Sequence, residues 1–282
     1  MRKTYAFRRS QSTIFLALCG AAAVLCVAVL FYMVAYVFVQ GASYINPDFF
    51  LRAPRPLGES GGGAVNSLVG SAIMVGVATL IGVPVGLACG VLVSEYAGRR
   101  LGGAVRFLAD VLSGIPSIVV GIFVFELLVV RQGHFSGFAG AVALAIIMLP
   151  IVARASEEML KLVPISHREA ALALGIPRWR STTSVVIPAA MSGLVTAALL
   201  AVARAAGETA PLLFTALGNR YTTTDLDEPM DSLPLHIYRY AIGPYDEWHQ
   251  EAWASAFFLI MIVLLINVLA RLLSGRQRGN LR

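Results

Sequence analysis

The chain has 282 residues, 57% of them hydrophobic and only 13% charged, with a formal net charge of +6. Soluble domains carry about 25% charged residues, so these few charges cannot cover so apolar a chain, and a soluble enzyme is excluded. The basic residues lie beside apolar segments rather than along one polar face, which excludes a nucleic-acid partner and marks an all-α integral membrane protein of the lipid bilayer.

Charges are so sparse that the gaps between them mark the spans. No acid or base occurs between Arg9 and Asp48, Glu59 and Glu95, Arg131 and Arg154, Arg180 and Arg204, or Glu251 and Arg271; Glu126 alone interrupts Asp110 to Arg131. Each gap holds the roughly 20 residues that a spanning helix needs. Six transmembrane helices are expected, near 13–39, 66–93, 108–130, 138–160, 189–217 and 252–273. The first apolar run, Ile14 to Val39, is far longer than the roughly 7–15 residues of a signal-peptide core and is expected to stay as a span. Cys19, Cys26 and Cys89 all fall in apolar stretches, read as small fillers with no metal-ligand spacing.

An even number of spans puts both termini on one side. Sixteen of the 22 Lys and Arg fall at the termini and in the second-to-third and fourth-to-fifth connections. Five, Arg52, Arg55, Arg131, Arg220 and Arg239, fall opposite, and Arg204 lies within a span. Basic residues stay inside, so both termini are expected in the cytoplasm. Tyr221, Tyr238, Tyr240, Tyr245, Trp248 and Trp253 then form an aromatic belt at the outer interface.

Gly82, Gly86 and Gly90 recur at every fourth position of the second helix and give it one flat face for close helix approach. Gly114 and Pro116 interrupt the third helix, and such a break is tolerated where protein or a cavity covers the freed backbone. The loop from Lys161 is long for a simple re-entry turn. Ser166 and Glu169 read as a capping box starting a helix at His167; Gly175 suits its end and Pro177 cannot continue it. A short helix on a long loop is expected to dock a partner.

Glu169-Ala170-Ala171, then Gly175, then Ile187-Pro188, resembles the Glu-Ala-Ala loop of type I ABC importer permeases. Ala203-Arg204-Ala-Ala-Gly207-Glu208-Thr209-Ala-Pro211 resembles the fifth-helix signature of one branch, the PstA permeases of phosphate-specific transport systems. Leu112-Ser-Gly114-Ile-Pro116-Ser117 and the stretch from Tyr240 to Trp253 are similar to further motifs of that branch, while Glu126 departs from it and is expected near the outer interface beside Arg131. The resemblance implies the type I permease fold with three parts. Residues 1–60 would be a cytoplasmic N-terminus, first helix and outer loop; residues 66–273 a five-helix permease domain with coupling loop 161–188; residues 274–282 a cytoplasmic tail. It implies that Glu169, Ala170, Ala171 and Gly175 couple to an ATPase. The implied partners are a second permease, PstC, two copies of the ATPase PstB, and the extracytoplasmic phosphate-binding protein PstS.

Arg204 and Glu208 lie inside the fifth span, at i and i+4 on one helix face. A charge at the bilayer centre costs about 2.5–3.5 kcal/mol. Two readings stay open: an ion pair that neutralises itself and holds helices together, or an arginine that contacts an anion in transit, for which a guanidinium fork suits phosphate. The resemblance adds weight to the second, with inorganic phosphate as substrate. Another oxyanion or small solute is the alternative, and an ATP-independent secondary transporter lacks core acids other than Glu208. No Gly-rich loop ending in Lys and Ser or Thr is present, so ATP hydrolysis is expected in a separate subunit, with no enzyme chemistry and no cofactor here. His134, His167, His236 and His249 are expected at surfaces or interfaces. The acidic loop 219–251 is a poor collector of free phosphate, which agrees with delivery by a carrier protein or with a solvated loop of no role.

Overall fold

A computed structural model describes residues 2–55, 62–96 and 100–279. Helix α1 (Arg2–Gly41) precedes the short α2 (Pro47–Leu51), capped by the Asn46 side chain, which accepts from the Phe49 N–H at 2.9 Å. Then come α3 (Val65–Glu95), α4 (Arg100–Gly114), α5 (Ser117–Gln132), α6 (Gly137–Lys161) and α7 (Ile165–Ala173). Helices α8 (Arg178–Ala205), α9 (Ala210–Thr215), α10 (Leu233–Ala241) and α11 (Asp246–Gly279) complete the chain. Among the described residues, five helices are long and apolar enough to cross a membrane, and α4 with α5 makes a sixth if that bent pair counts as one span.

The core sits between α3 and α6. Gly82 faces Ala145 and Met148, Gly86 faces Val152, and Gly90 faces Ala153 and Ser156. A Cβ at Gly86 would stand 2.7 Å from the Val152 Cβ, so any side chain there would force the two helices apart. The glycine stripe works as the sequence suggests: without a hydrophobic drive in lipid, backbone approach is what holds the pair. Met74, Ala78, Leu144, Met148 and Val152 fill the seam, with Ala201 of α8 and Leu212 of α9 closing it. Helix α1 lies at the edge and meets α11 near its own C-terminal end, where Tyr36 is edge-on to Trp253 (centroids 5.4 Å) and Phe38 edge-on to Phe257 (5.3 Å). The rest of its apolar surface is exposed, as suits lipid or a partner subunit.

The third span differs from the continuous 108–130 of the sequence reading. The chain turns by 103° between α4 and α5. Pro116 has no N–H for the ladder, and Gly114 ends α4. Residues before the break therefore belong to α4, which is fastened to the C-terminal part of α6 by two ion pairs, Arg106 to Glu157 and Arg154 to Asp110. Glu157 is buried and also meets Arg154 at 3.0 Å and Lys161 at 2.7 Å, so one carboxylate gathers three cations. Glu126 sits exposed in a π-helical stretch, Phe125–Val129, within α5. It makes no ion pair with Arg131 among the described residues.

The fifth span also departs from its expected 189–217. It begins at Arg178, contains a π-helical stretch Thr182–Val186, and stops at Ala205 before α9 resumes. Pro211 explains the stop, because its ring would clash with the carbonyl of Gly207 four residues back in any continuous helix.

A candidate translocation site between two broken spans

The breaks in the third and fifth spans face each other. Gly121 of α5 packs on Pro211 of α9 so closely that a Cβ would stand 2.6 Å from the Pro211 Cα. Beside this contact lies a cavity of about 410 Å³, walled by Ser113, Gly114, Pro116 and Ser117 at one break, by Arg204 and Glu208 at the other, and by Ile147 and Pro150 of α6. The lining from the middle of α6 places it at mid-depth in the bundle.

Arg204 occupies the last turn of α8, where a cation complements the helix dipole. The Gly207 N–H then reaches the Arg204 carbonyl (3.1 Å) and the Glu208 N–H the Ala205 carbonyl (3.2 Å), a tight turn rather than another helical turn. Glu208 thus lies beyond the helix end, not on the shared helix face that the sequence suggests. The Arg204 Nε stands 3.9 Å from the Glu208 Oε1, with no hydrogen bond between them among the described residues. The arginine side chain is 66% exposed and the glutamate 16%. A pair built as glue would bond tightly; this one leaves the guanidinium fork open to the cavity. Sequence reasoning did not single out the Ser113 and Ser117 hydroxyls that share the wall, although the Gly114–Pro116 break marked this helix as facing the interior.

At one end of the bundle, α7 begins at Ile165 with Pro164 in the capping position and no side-chain cap. The expected Ser166–Glu169 capping box is not formed. Arg168 decides the register instead: it pairs with Glu95 at 2.7 Å and donates to the carbonyls of Leu160 (2.9 Å) and Val163 (2.7 Å), tying the first turn of α7 beneath α6. Gly175 ends the helix at φ +76°, with its N–H on the Leu172 carbonyl and that of Ile176 on the Ala171 carbonyl, the paired bonds of a Schellman turn. Glu169, Ala170 and Gly175 are exposed, while Ala171 is buried against the bundle. Around them Ile165, Leu174 and Trp179 expose apolar surface.

At the opposite end, the acidic loop is not merely solvated. Asp231 is buried; its Oδ2 accepts from the Ser67 hydroxyl (2.7 Å) and the Asn66 amide (3.2 Å), and its Oδ1 meets Arg239 at 2.5 Å. His236 is also wholly buried, so of its two expected placements, surface or interface, the surface is excluded: it lies on the buried face of α10. Tyr240, expected in the belt, is likewise buried and stacks on His236 with centroids 4.0 Å apart. Burial, with the Glu251 carboxylate nearby, pushes its phenol up to about 12.

Residues 82–279 match the family of binding-protein-dependent transport system inner membrane components. The phosphate transport system permease protein PstA of Yersinia pestis is 42% identical over 279 residues, covering 98% of this chain and 94% of that protein. The chain belongs to the PstA family of these membrane components. The PstA protein of Xylella fastidiosa (strain Temecula1) is 46% identical over 242 residues, covering 85% of this chain and 84% of that one. A probable PstA of Methanocaldococcus jannaschii is 37% identical over 263 residues, covering 93% and 92%. The inward-facing MetNI methionine ABC transporter matches with a TM-score of 0.64 at 21% identity, covering 75% of this chain and 94% of that one. That likeness establishes the fold alone; the family match and the several apolar helices make the chain a multi-pass component of the inner membrane.

Proposed function

We propose that this chain is the permease subunit of an ATP-driven importer of inorganic phosphate. It would form the path with a second permease of the PstC type, driven by two PstB-type ATPase subunits and supplied by a PstS-type binding protein. The observation that carries the reading is the open guanidinium of Arg204 in a mid-depth cavity between two broken helices. The names of the curated relatives supply the substrate class. A phosphate entering the cavity would draw Arg204 from its 3.9 Å contact with Glu208; as it leaves, Glu208 would take the arginine back. The exchange keeps a charge in low dielectric from standing unpaired. One arginine does not balance a phosphate dianion, so the partner permease supplies further positive groups. In cells stripped of their own phosphate import, this chain with its partners is expected to restore phosphate uptake that excess sulfate does not compete away. Uptake that sulfate abolishes would assign the path to another oxyanion.

The same reading sets the orientation, with both termini and α7 in the cytoplasm. A reporter fused after Gly218 is expected to signal outside and one fused after Arg278 inside. The same side for both would refute an even number of crossings.

A further inference from the structure

Beyond Arg204, a second cavity lies at the end of the bundle opposite α7. Asn66, in its wall, stands in the first turn of α3, and Glu95, which holds Arg168, ends that helix. The 31 residues of α3 separate the two by about 45 Å at ~1.5 Å per residue. The cavity is about 150 Å³, lined by Asn66, Arg220, Asp231, His236 and Arg239, with aromatic walls from Tyr240 and Trp248. A single water needs roughly 10–15 Å³ on that measure, so a five-atom oxyanion fits.

The wall is rich in donors. The Asp231 Oδ2 accepts from Ser67 and Asn66, whereas its Oδ1, 2.5 Å from the Arg239 guanidinium, makes no hydrogen bond among the described residues, and neither does the buried Glu251 Oε2. The Arg239 Nε is buried without a partner. Both ring nitrogens of the wholly buried His236 also lack hydrogen bonds. Their nearest carboxylate oxygens, on Asp231 and Glu251, stand 3.8 and 3.9 Å away, beyond hydrogen-bond reach. Arg220 makes no ion pair among the described residues. The charged groups facing the cavity are thus Arg220, Arg239 and Asp231, with Glu251 behind His236, and the two arginines exceed the one lining carboxylate. Gly218, at φ +92°, cradles the guanidinium of Arg239: a Cβ there would come within 2.8 Å of its nitrogens.

We propose that this cavity is an outer receiving subsite for inorganic phosphate, occupied before the anion reaches Arg204. The inference rests on the phosphate-importer reading and adds a second station to the same path. Arg220, the Arg239 Nε and His236 donate to the anion. Asp231 in the same wall favours an oxyanion that still carries a proton, so hydrogen phosphate is held where sulfate is repelled.

The test uses the complete transporter in proteoliposomes, with ATP inside and binding protein and radiolabelled phosphate outside. Arg220→Gln, on an exposed side chain, is expected to raise the half-saturating concentration of phosphate-loaded binding protein about tenfold. It should leave the maximal rate within about twofold. Equilibrium binding of inorganic phosphate to an Arg204→Leu complex, without binding protein, should still show a site, and Arg220→Gln or His236→Gln added to it should remove that site. Unchanged half-saturation for Arg220→Gln, or no phosphate bound by the Arg204→Leu complex, would overturn the subsite. Sulfate bound there as tightly as phosphate would overturn its selectivity and with it the proposal. Wild-type liposomes that take up no phosphate at all would instead refute the importer reading itself.

Discussion

Arg204→Lys is expected to lower ATP-driven phosphate uptake by about 10- to 100-fold while the transporter still assembles at normal yield. Lysine keeps the positive charge but loses the planar fork, and hydrogen bonds to charged groups are worth about 1.5–3 kcal/mol. The open placement of Arg204, whose one ion-pair contact among the described residues is at 3.9 Å, means that little structural bonding is lost in the exchange. Glu208→Gln should give a different signature. Without its resting partner Arg204 would hold the anion longer, so turnover falls while half-saturation improves. Uptake measured against substrate concentration separates the two. Assembly lost in parallel with transport in either variant would mark the pair as structural glue.

Gly175→Val, combined with Glu169→Lys, is expected to uncouple the ATPase. Gly175 sits at φ +76°, where a β-branched residue is strained by about 1–3 kcal/mol. The Schellman turn would open, and the exposed apolar residues Leu174 and Trp179 that follow α7 would be displaced. Charge reversal at exposed Glu169 changes the same surface without touching the bundle. Co-purification of the ATPase should drop by an order of magnitude or more, at about 1.4 kcal/mol per factor of ten. The thermal unfolding of the spans should stay where it is, since the α3–α6 seam lies elsewhere. Full recovery of both ATPase binding and uptake in the double variant would exclude a coupling role for α7.

Much of the fold is legible in the charge gaps, because lipid forbids unpaired charges and the spans can hardly be placed otherwise. The Gly82–Gly86–Gly90 stripe is legible too, since only backbone approach explains small residues at that period. What misleads is local grammar overridden by long-range contacts. Ser166 and Glu169 have the spacing of a capping box, yet Arg168 binds Glu95, distant in sequence, and moves the helix start to Ile165. Arg204 and Glu208 read as i and i+4 neighbours, although Pro211, visible in the same run, forbids the continuous helix that this reading needs. Asp231 looks like a loop residue because its partners, Asn66 and Ser67, come from the start of α3, more than 160 positions away. The candidate site is therefore half legible: its arginine stands out as a charge within a span, and its serine-bearing wall emerges only when the two breaks meet.

The most direct measurement is phosphate uptake by the Arg204→Leu/Glu208→Leu double variant, reconstituted with its partners and driven by ATP. Removing both charges together leaves nothing buried and unmatched, so the transporter should assemble in full. With the anion contact gone, uptake should fall to the background of liposomes lacking ATP. A double variant that assembles and transports phosphate at the wild-type rate would contradict the account.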